Sequence, residues 1–245
     1  MKADPKVQRR LLDLQAIDTT LAQLAHRRRT LPELAELETL ARELSALEDE
    51  RVRAQVAVDD LDRDIARIEK DVEQVRARKS KDEARLASGS GPARELEALQ
   101  HELVSLNRRQ SDLEDAELEL MEQRETAQGV LDGIERRAAD ARERRAAAER
   151  RRDDALAEIA KEEEFKRQSR QPLAGDLPAE LVTLYDKIRA DTGLGAALLT
   201  GGRCGGCRLE LYGADMARIR KAAPDDVVRC EECRRIMVRT NESGL

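Results

Sequence analysis

No tryptophan occurs in this chain of 245 residues, and only three aromatic side chains do: Phe165, Tyr185 and Tyr212. A compact enzyme of this length buries an aromatic-bearing core between layers of secondary structure, and this chain lacks the material for one. Histidine is nearly missing too. His26 and His101 are far apart and read as solvated helix residues. No apolar run approaches the ~20 residues needed to span a bilayer. The opening segment "MKADPKVQRRLLDLQ" turns charged again within a few residues, unlike a signal peptide. Cysteine is confined to the last fifth of the chain, where four residues form two Cys-x-x-Cys pairs. The expected compartment is a reducing cytoplasm, which disfavours structural disulfides and favours metal binding.

Charge is abundant: Asp, Glu, Lys and Arg make up 39% of the residues, with a net charge of −6. Ala, Glu, Leu, Arg and Asp dominate, the composition of long helices and coiled coils. From Leu37 to Val75 the apolar positions recur at spacings of three and four: Leu37, Leu40, Leu44, Leu47, Val58, Leu61, Ile65, Ile68, Val72 and Val75. Arg51 and Ala54 fill the slots between, and Lys79, Asp82 and Leu86 continue the frame. "SGSGP" at Ser88–Pro92 stops this helix. A second seam follows at Leu96, Leu99, Leu103, Leu106, Leu113, Leu120, Leu131 and Ile134, with Gln110, Glu117 and Arg124 as polar members. It continues through Ala138, Ala141, Arg145, Ala148, Ala155 and Ile159. Two long seams joined by a short loop predict an antiparallel hairpin.

Between Arg136 and Arg152 lie eight arginines and three acids. Reflected about the loop they fall near Glu33, Glu36, Glu38 and Glu43, which predicts cross-helix pairing; a phosphate-binding stripe is the sharper alternative. The N-terminal segment carries Leu11, Leu14, Ile17, Leu21 and Leu24 on one face. It is set off by Thr30-Leu31-Pro32, where a kink or short break is expected.

Helical pattern fails at "RQPLAGDLPAEL", with Asp176 placed to cap a helix from about Pro178 to Arg189. A short strand is expected at Ala196–Thr200. Then come Cys204-x-x-Cys207 and Cys230-x-x-Cys233, separated by residues 208–229. Each turn brings two sulfurs to one side of a tight loop, and two such loops complete a tetrahedron around one structural Zn2+. Redox-active pairs and an iron–sulfur cluster are the weaker alternatives. A redox motif precedes a helix in an α/β unit, and none is present here. Four thiolates leave no open position for catalysis. Strands are expected at Arg208–Tyr212 and Ile236–Arg239, with a short helix at "MARIRKA" between them. The expected fold is mainly α, a long antiparallel coiled-coil helical hairpin over residues 1–172 with its tip near 87–93 and a kink or break near 30–32. A linker helix and a small α+β zinc ribbon follow over residues 173–245.

The phrases "RELEALQHEL" after the tip, "LPAELVTLYDKIR" before the ribbon, and "GGRCGGC…CEECRRIMV" together resemble a bacterial family of coiled-coil proteins with a C-terminal C4-type zinc ribbon. The resemblance covers both parts of the chain. It implies an elongated helical hairpin with the ribbon at its base. Some members are implicated in binding messenger RNA and an alternative sigma factor in flagellar gene control. The family has Gly after the last cysteine where this chain has Arg234, a position that favours left-handed backbone.

Between Arg203 and Arg239 nine basic residues face six acids, a local +3, while the remainder of the chain carries −9. Arg203, Arg208, Arg218, Arg220, Lys221, Arg234, Arg235 and Arg239 are the candidate nucleic-acid contacts; the competing reading is that arginines shield the negative metal centre. No catalytic constellation or small-molecule site is visible, so a non-enzymatic, regulatory role is expected. Two classes of partner remain. One is RNA or DNA held by the basic ribbon. The other is a protein such as a sigma factor or RNA polymerase engaged by the coiled coil, the ribbon being purely structural.

Overall fold

The computed structural model describes all residues from Met1 to Leu245. Asp4 caps the first helix, its carboxylate accepting the Lys6 amide at 2.8 Å, and Pro5 sits at the first turn where no amide partner is needed. This helix, α1 (Pro5–Arg29), ends on His26 and three arginines, which complement the helix dipole. Pro32 then opens α2 (Pro32–Ala87), and α3 (Ala93–Gly175) begins beyond the Ser-Gly-Ser-Gly-Pro turn. Next come α4 (Ala179–Thr192), β1 (Ala196–Thr200), β2 (Arg203–Cys204), α5 (Ala214–Lys221), β3 (Val228–Arg229) and β4 (Ile236–Val238). No helix is long and apolar enough to cross a membrane. The chain divides into two compact units, Ala35–Glu149 and the union of Met1–Leu34 with Arg150–Leu245.

The unit Ala35–Glu149 is the helical hairpin. Every expected seam slot of α2 is buried or half-buried, from Leu37 to Leu86, while most intervening residues are exposed. Leu47 packs with Ile134, Ala138 and Ala141, and Leu44 and Ala54 border that cluster. Alanines on α3 let the helices approach closely where leucine faces them. The antiparallel register is visible in the ion pairs. Arg144 meets Glu43 at 2.7 Å, Arg137 meets Glu50 at 3.2 Å, Arg124 meets Asp62 at 3.0 Å and Arg76 meets Glu114 at 2.6 Å. Cross-helix pairing of the arginine-rich stretch therefore holds at Arg137 and Arg144. Arg145 and Arg152 instead pair with Glu149 and Asp153 on their own helix.

In the other unit a four-stranded sheet, ordered β2-β1-β4-β3, forms a wall between two apolar layers. β1 and β4 are parallel; the outer pairs are antiparallel. Side-chain alternation splits the wall. Ala196, Ile236 and Val238 pack with Leu11 and Leu14 of α1 and Leu181, Tyr185 and Ile188 of α4. Leu199, Val228 and Met237 pack with Leu211, Met216 and Ile219 on the side of the cysteines. Leu24, Leu31 and Ile159 hold α1 against the end of α3.

Three local expectations need correction. α3 does not stop at Pro172 but runs to Gly175: the Pro172 carbonyl still accepts the Asp176 amide at 3.0 Å, and Leu173 and Leu177 are drawn into the apolar layer. Asp176 does not cap α4, because Pro178 occupies that position, and its carboxylate pairs with Arg10 at 2.8 Å. Arg208–Tyr212 is not a strand. Only Glu210 bridges Arg203 there, because Arg208 turns the backbone left-handed.

Candidate metal centre

Cys204 ends β2 and Cys230 follows β3, so the sheet presents both leading cysteines from antiparallel partners of its central strands. The two knuckles repeat one backbone pattern. The Arg208 amide donates to the Cys204 carbonyl at 2.7 Å and the Arg234 amide to the Cys230 carbonyl at 2.9 Å. The Cys204 amide donates to Leu209, and the Cys230 amide to Arg235, each at 3.0 Å. Arg208 and Arg234 both adopt left-handed backbone, φ 64° and 63°, and they are the only non-glycine residues to do so.

The first knuckle lies against β1, and its glycines are needed there for clearance. A Cβ on Gly205 would come 2.8 Å from the Leu198 carbonyl oxygen, to which the Gly205 amide already donates at 2.9 Å. A Cβ on Gly206 would meet Arg235 Cδ at 2.6 Å. Close approach to Leu198 and Arg235 is what these glycines permit.

All four sulfur atoms lie within 4.8 Å of one another. Cys204 Sγ and Cys233 Sγ are 3.8 Å apart, and Cys207 Sγ and Cys230 Sγ 3.9 Å. A tetrahedron with zinc–sulfur bonds of about 2.3 Å has edges of about 3.8 Å. The donor set therefore fits zinc in both chemistry and spacing. Cys204 and Cys230 are buried and Cys207 and Cys233 half-buried. Burial pushes the Cys204 thiol up and the Cys230 thiol up to about 12. Burial also raises Cys233, but the Arg235 amide and the neighbouring thiols outweigh it and hold that thiol low. Backbone amides converge on the sulfurs: Gly206 and Cys207 on Cys204, Glu232 and Cys233 on Cys230. Such amides stabilise thiolates, and metal entry displaces the remaining protons.

The eight candidate contact residues divide by what already holds them. Arg239 donates to the carbonyls of Ile219, Ala222, Ala223, Pro224 and Asp226, closing the end of α5 and the loop after it. Arg235 donates to the Thr192 carbonyl at 2.8 Å. Arg218 pairs with Glu231 at 2.8 Å, and Arg203 with Glu210 at 3.6 Å. Arg220 makes one long bond to the Gly244 carbonyl at 3.5 Å. Arg208, Lys221 and Arg234 are exposed and make no hydrogen bond or ion pair through their side chains. Leu209 and Tyr212, on the loop leaving the first knuckle, are exposed as well. His26 and His101 are exposed on their helices.

Sequence reasoning missed a buried polar junction. Asp18 accepts from Arg170 at 2.8 and 3.2 Å and from the Tyr185 hydroxyl at 2.9 Å, with Arg189 3.2 Å away. Gln15 Oε1 accepts the Gly195 amide at 2.7 Å, joining α1 to the start of the sheet. The available signal was Gln8, Leu11, Gln15 and Asp18 at helical spacing on one face of α1, adjacent to the leucine stripe. Met1 and Ala3 are also bonded to the loop before β3, through the Val227 amide and the Asp225 carbonyl.

The model of the CT398-like coiled coil hairpin domain matches residues 14–193, and that of the C4-type zinc ribbon domain matches residues 203–237. The chain belongs to the CT398-like hairpin family. A protein of Mycobacterium tuberculosis is 41% identical over 98% of both chains. A solved structure from Mycobacterium smegmatis, 37% identical, superposes with a TM-score of 0.87 over 98% of this chain and 100% of that one. CT398 of Chlamydia trachomatis, 19% identical, shares the fold with a TM-score of 0.66 over 95% and 97% of the chains. As a member of the CT398-like family with four converged thiolates, the protein is a coiled-coil hairpin carrying one structural zinc ion.

Proposed function

We propose that the protein is a non-catalytic nucleic-acid-binding factor of the reducing cytoplasm, acting in transcriptional or post-transcriptional regulation through the rim of its zinc ribbon. The observation that carries this reading is the pair of left-handed arginines. Glycine occupies every other left-handed position in the chain, yet Arg208 and Arg234 stand where left-handed backbone costs about 1–2 kcal/mol. Neither side chain has a protein partner, so neither is there for the fold. Each follows a zinc-bound cysteine, and both therefore lie on the rim of the same centre. Strain kept at exposed, unpartnered cations points to a ligand.

Electrostatics set the mode of binding. The ribbon's +3 is offset by the metal centre, whose four thiolates and one divalent cation carry about two negative charges. Arg235 and Arg239 are committed to carbonyls. What remains, Arg208, Arg234, Lys221 and Arg220, suits phosphate-directed contact with little sequence preference. The test is binding of unstructured RNA and DNA oligonucleotides to the zinc-loaded chain across a salt series. The double variant Arg208→Gly/Arg234→Gly should bind at least tenfold more weakly at low salt while its Tm is unchanged or raised. Wild-type protein that binds neither probe, or a double variant that binds as tightly, would overturn the reading.

A protein-adaptor reading, with the hairpin engaging a polymerase or sigma-factor subunit, has one observation in its favour. Val52 and Val56 on α2, and Leu118 and Met121 on α3, are about half exposed. A pull-down that recovers polymerase components and no nucleic acid would favour it.

A further inference from the structure

Beside the second knuckle is a cleft of about 410 Å3 that the four cysteines do not account for, since only Cys230 borders it. Its walls bring together Arg218 of α5, Arg229 of β3 and Arg234. Two acids also face it, and both are already engaged. Glu231 pairs with Arg218 at 2.8 Å, and Asp226 accepts the Ala223 amide at 2.9 Å. Arg229 uses only its Nε, which donates to the Arg234 carbonyl at 2.9 Å. Its two terminal amino groups have no partner, and the whole guanidinium of Arg234 has none. Two guanidinium forks without a carboxylate, on adjoining walls of one cleft, form a bidentate receptor for a compact oxyanion.

Arg229 is half-buried on β3, which anchors the stem of its side chain. Its terminal amino groups remain open to solvent and to an incoming acceptor, while the rest of the residue is packed into β3. The bond from Arg229 Nε to the Arg234 carbonyl restrains the Arg229 side chain, so that side chain loses less freedom on binding.

We infer that this cleft, between α5, β3 and the second knuckle, is a phosphate subsite in which Arg229 and Arg234 grip one phosphate group of a bound nucleic acid. The inference rests on the nucleic-acid reading above and deepens it, by naming where a phosphate is held and by residues outside the first knuckle. The phosphate is supplied either by a chain end or by the backbone.

The experiment uses the full zinc-loaded chain and a 12-nucleotide single-stranded RNA made with and without a 5′-phosphate, titrated at several salt concentrations. The variants are Arg229→Gln, Arg234→Gly and, as a separate arm, Arg208→Gly; zinc content and Tm are measured for each. Arg229→Gln should weaken binding at least fivefold and lower the salt slope by about 0.7, the value of one single-strand phosphate contact. If the 5′-phosphate tightens wild-type binding and Arg229→Gln abolishes that gain, the group is a chain end. If the 5′-phosphate makes no difference while the Arg229→Gln loss persists, it is a backbone phosphate. Either result supports the cleft. Should Arg229→Gln and Arg234→Gly both retain wild-type affinity and slope while Arg208→Gly loses affinity, the cleft assignment is wrong and the nucleic-acid reading stands. Failure of the wild-type chain to bind either RNA removes both.

Discussion

Arg239 shows how a cation near a metal centre serves the fold. Its guanidinium spreads over five carbonyl oxygens at the end of α5 and in the loop that follows. Lysine keeps the charge but cannot present a rigid fork to so many acceptors. Arg239→Lys should therefore destabilise the zinc-loaded protein by about 2–3 kcal/mol in denaturant titrations. Lys221→Ala, at an exposed residue with no partner, should change stability by less than about 0.5 kcal/mol. Equal effects would show that the carbonyls beneath Arg239 are satisfied by water. Arg208 and Arg234 are the converse case. Replacing either with glycine relieves left-handed strain while adding freedom to the unfolded chain, so stability should hold or rise by up to about 1 kcal/mol.

At the scale of elements, the hairpin is held by its seam rather than by its many ion pairs. Arg144 and Glu43 meet at 2.7 Å, but their side chains are 48% and 38% exposed, and solvent screening leaves such a pair a small contributor. Leu47, 2% exposed, is locked against Ile134, Ala138 and Ala141. Leu47→Ala should cost about 2–5 kcal/mol, and Arg144→Ala far less, in helix content followed through urea unfolding. The reverse order would mean that charge specifies the hairpin. The seam was legible because heptad spacing is a local signal repeated many times, so single polar slots such as Lys79 and Asp82 do not erase it. The ribbon's cysteines were legible for a similar reason, since two short spacings state the chemistry outright. Its strands were less so. Where Arg208 and Arg234 bend the backbone decides which segments pair; the family's glycine at the position of Arg234 signalled the left-handed turn there, but nothing in the sequence signalled it at Arg208. The Asp18 junction was hidden because its partners Arg170, Tyr185 and Arg189 come from distant parts of the chain.

Across the whole molecule, stability has two sources. The hairpin residues 35–149 rest on repeated side-chain packing alone. The sheet has one face on α1 and α4 and the other on the knuckles, so only part of it depends on the ion. Ala196, Ile236 and Val238 keep their apolar partners whatever the thiols bind, whereas Cys204 and Cys230 are themselves part of the second apolar layer. Without metal, the buried thiols hold protons and the turns lose the bond that closes them. The decisive measurement is hydrogen exchange on the full chain, with metal content determined, before and after a zinc chelator. The expected result is one zinc per chain and, after its removal, lost protection across residues 203–237 with β1 and β4 fading least and residues 35–149 unchanged. Purified protein without zinc whose knuckle amides remain protected would contradict a zinc-fastened ribbon.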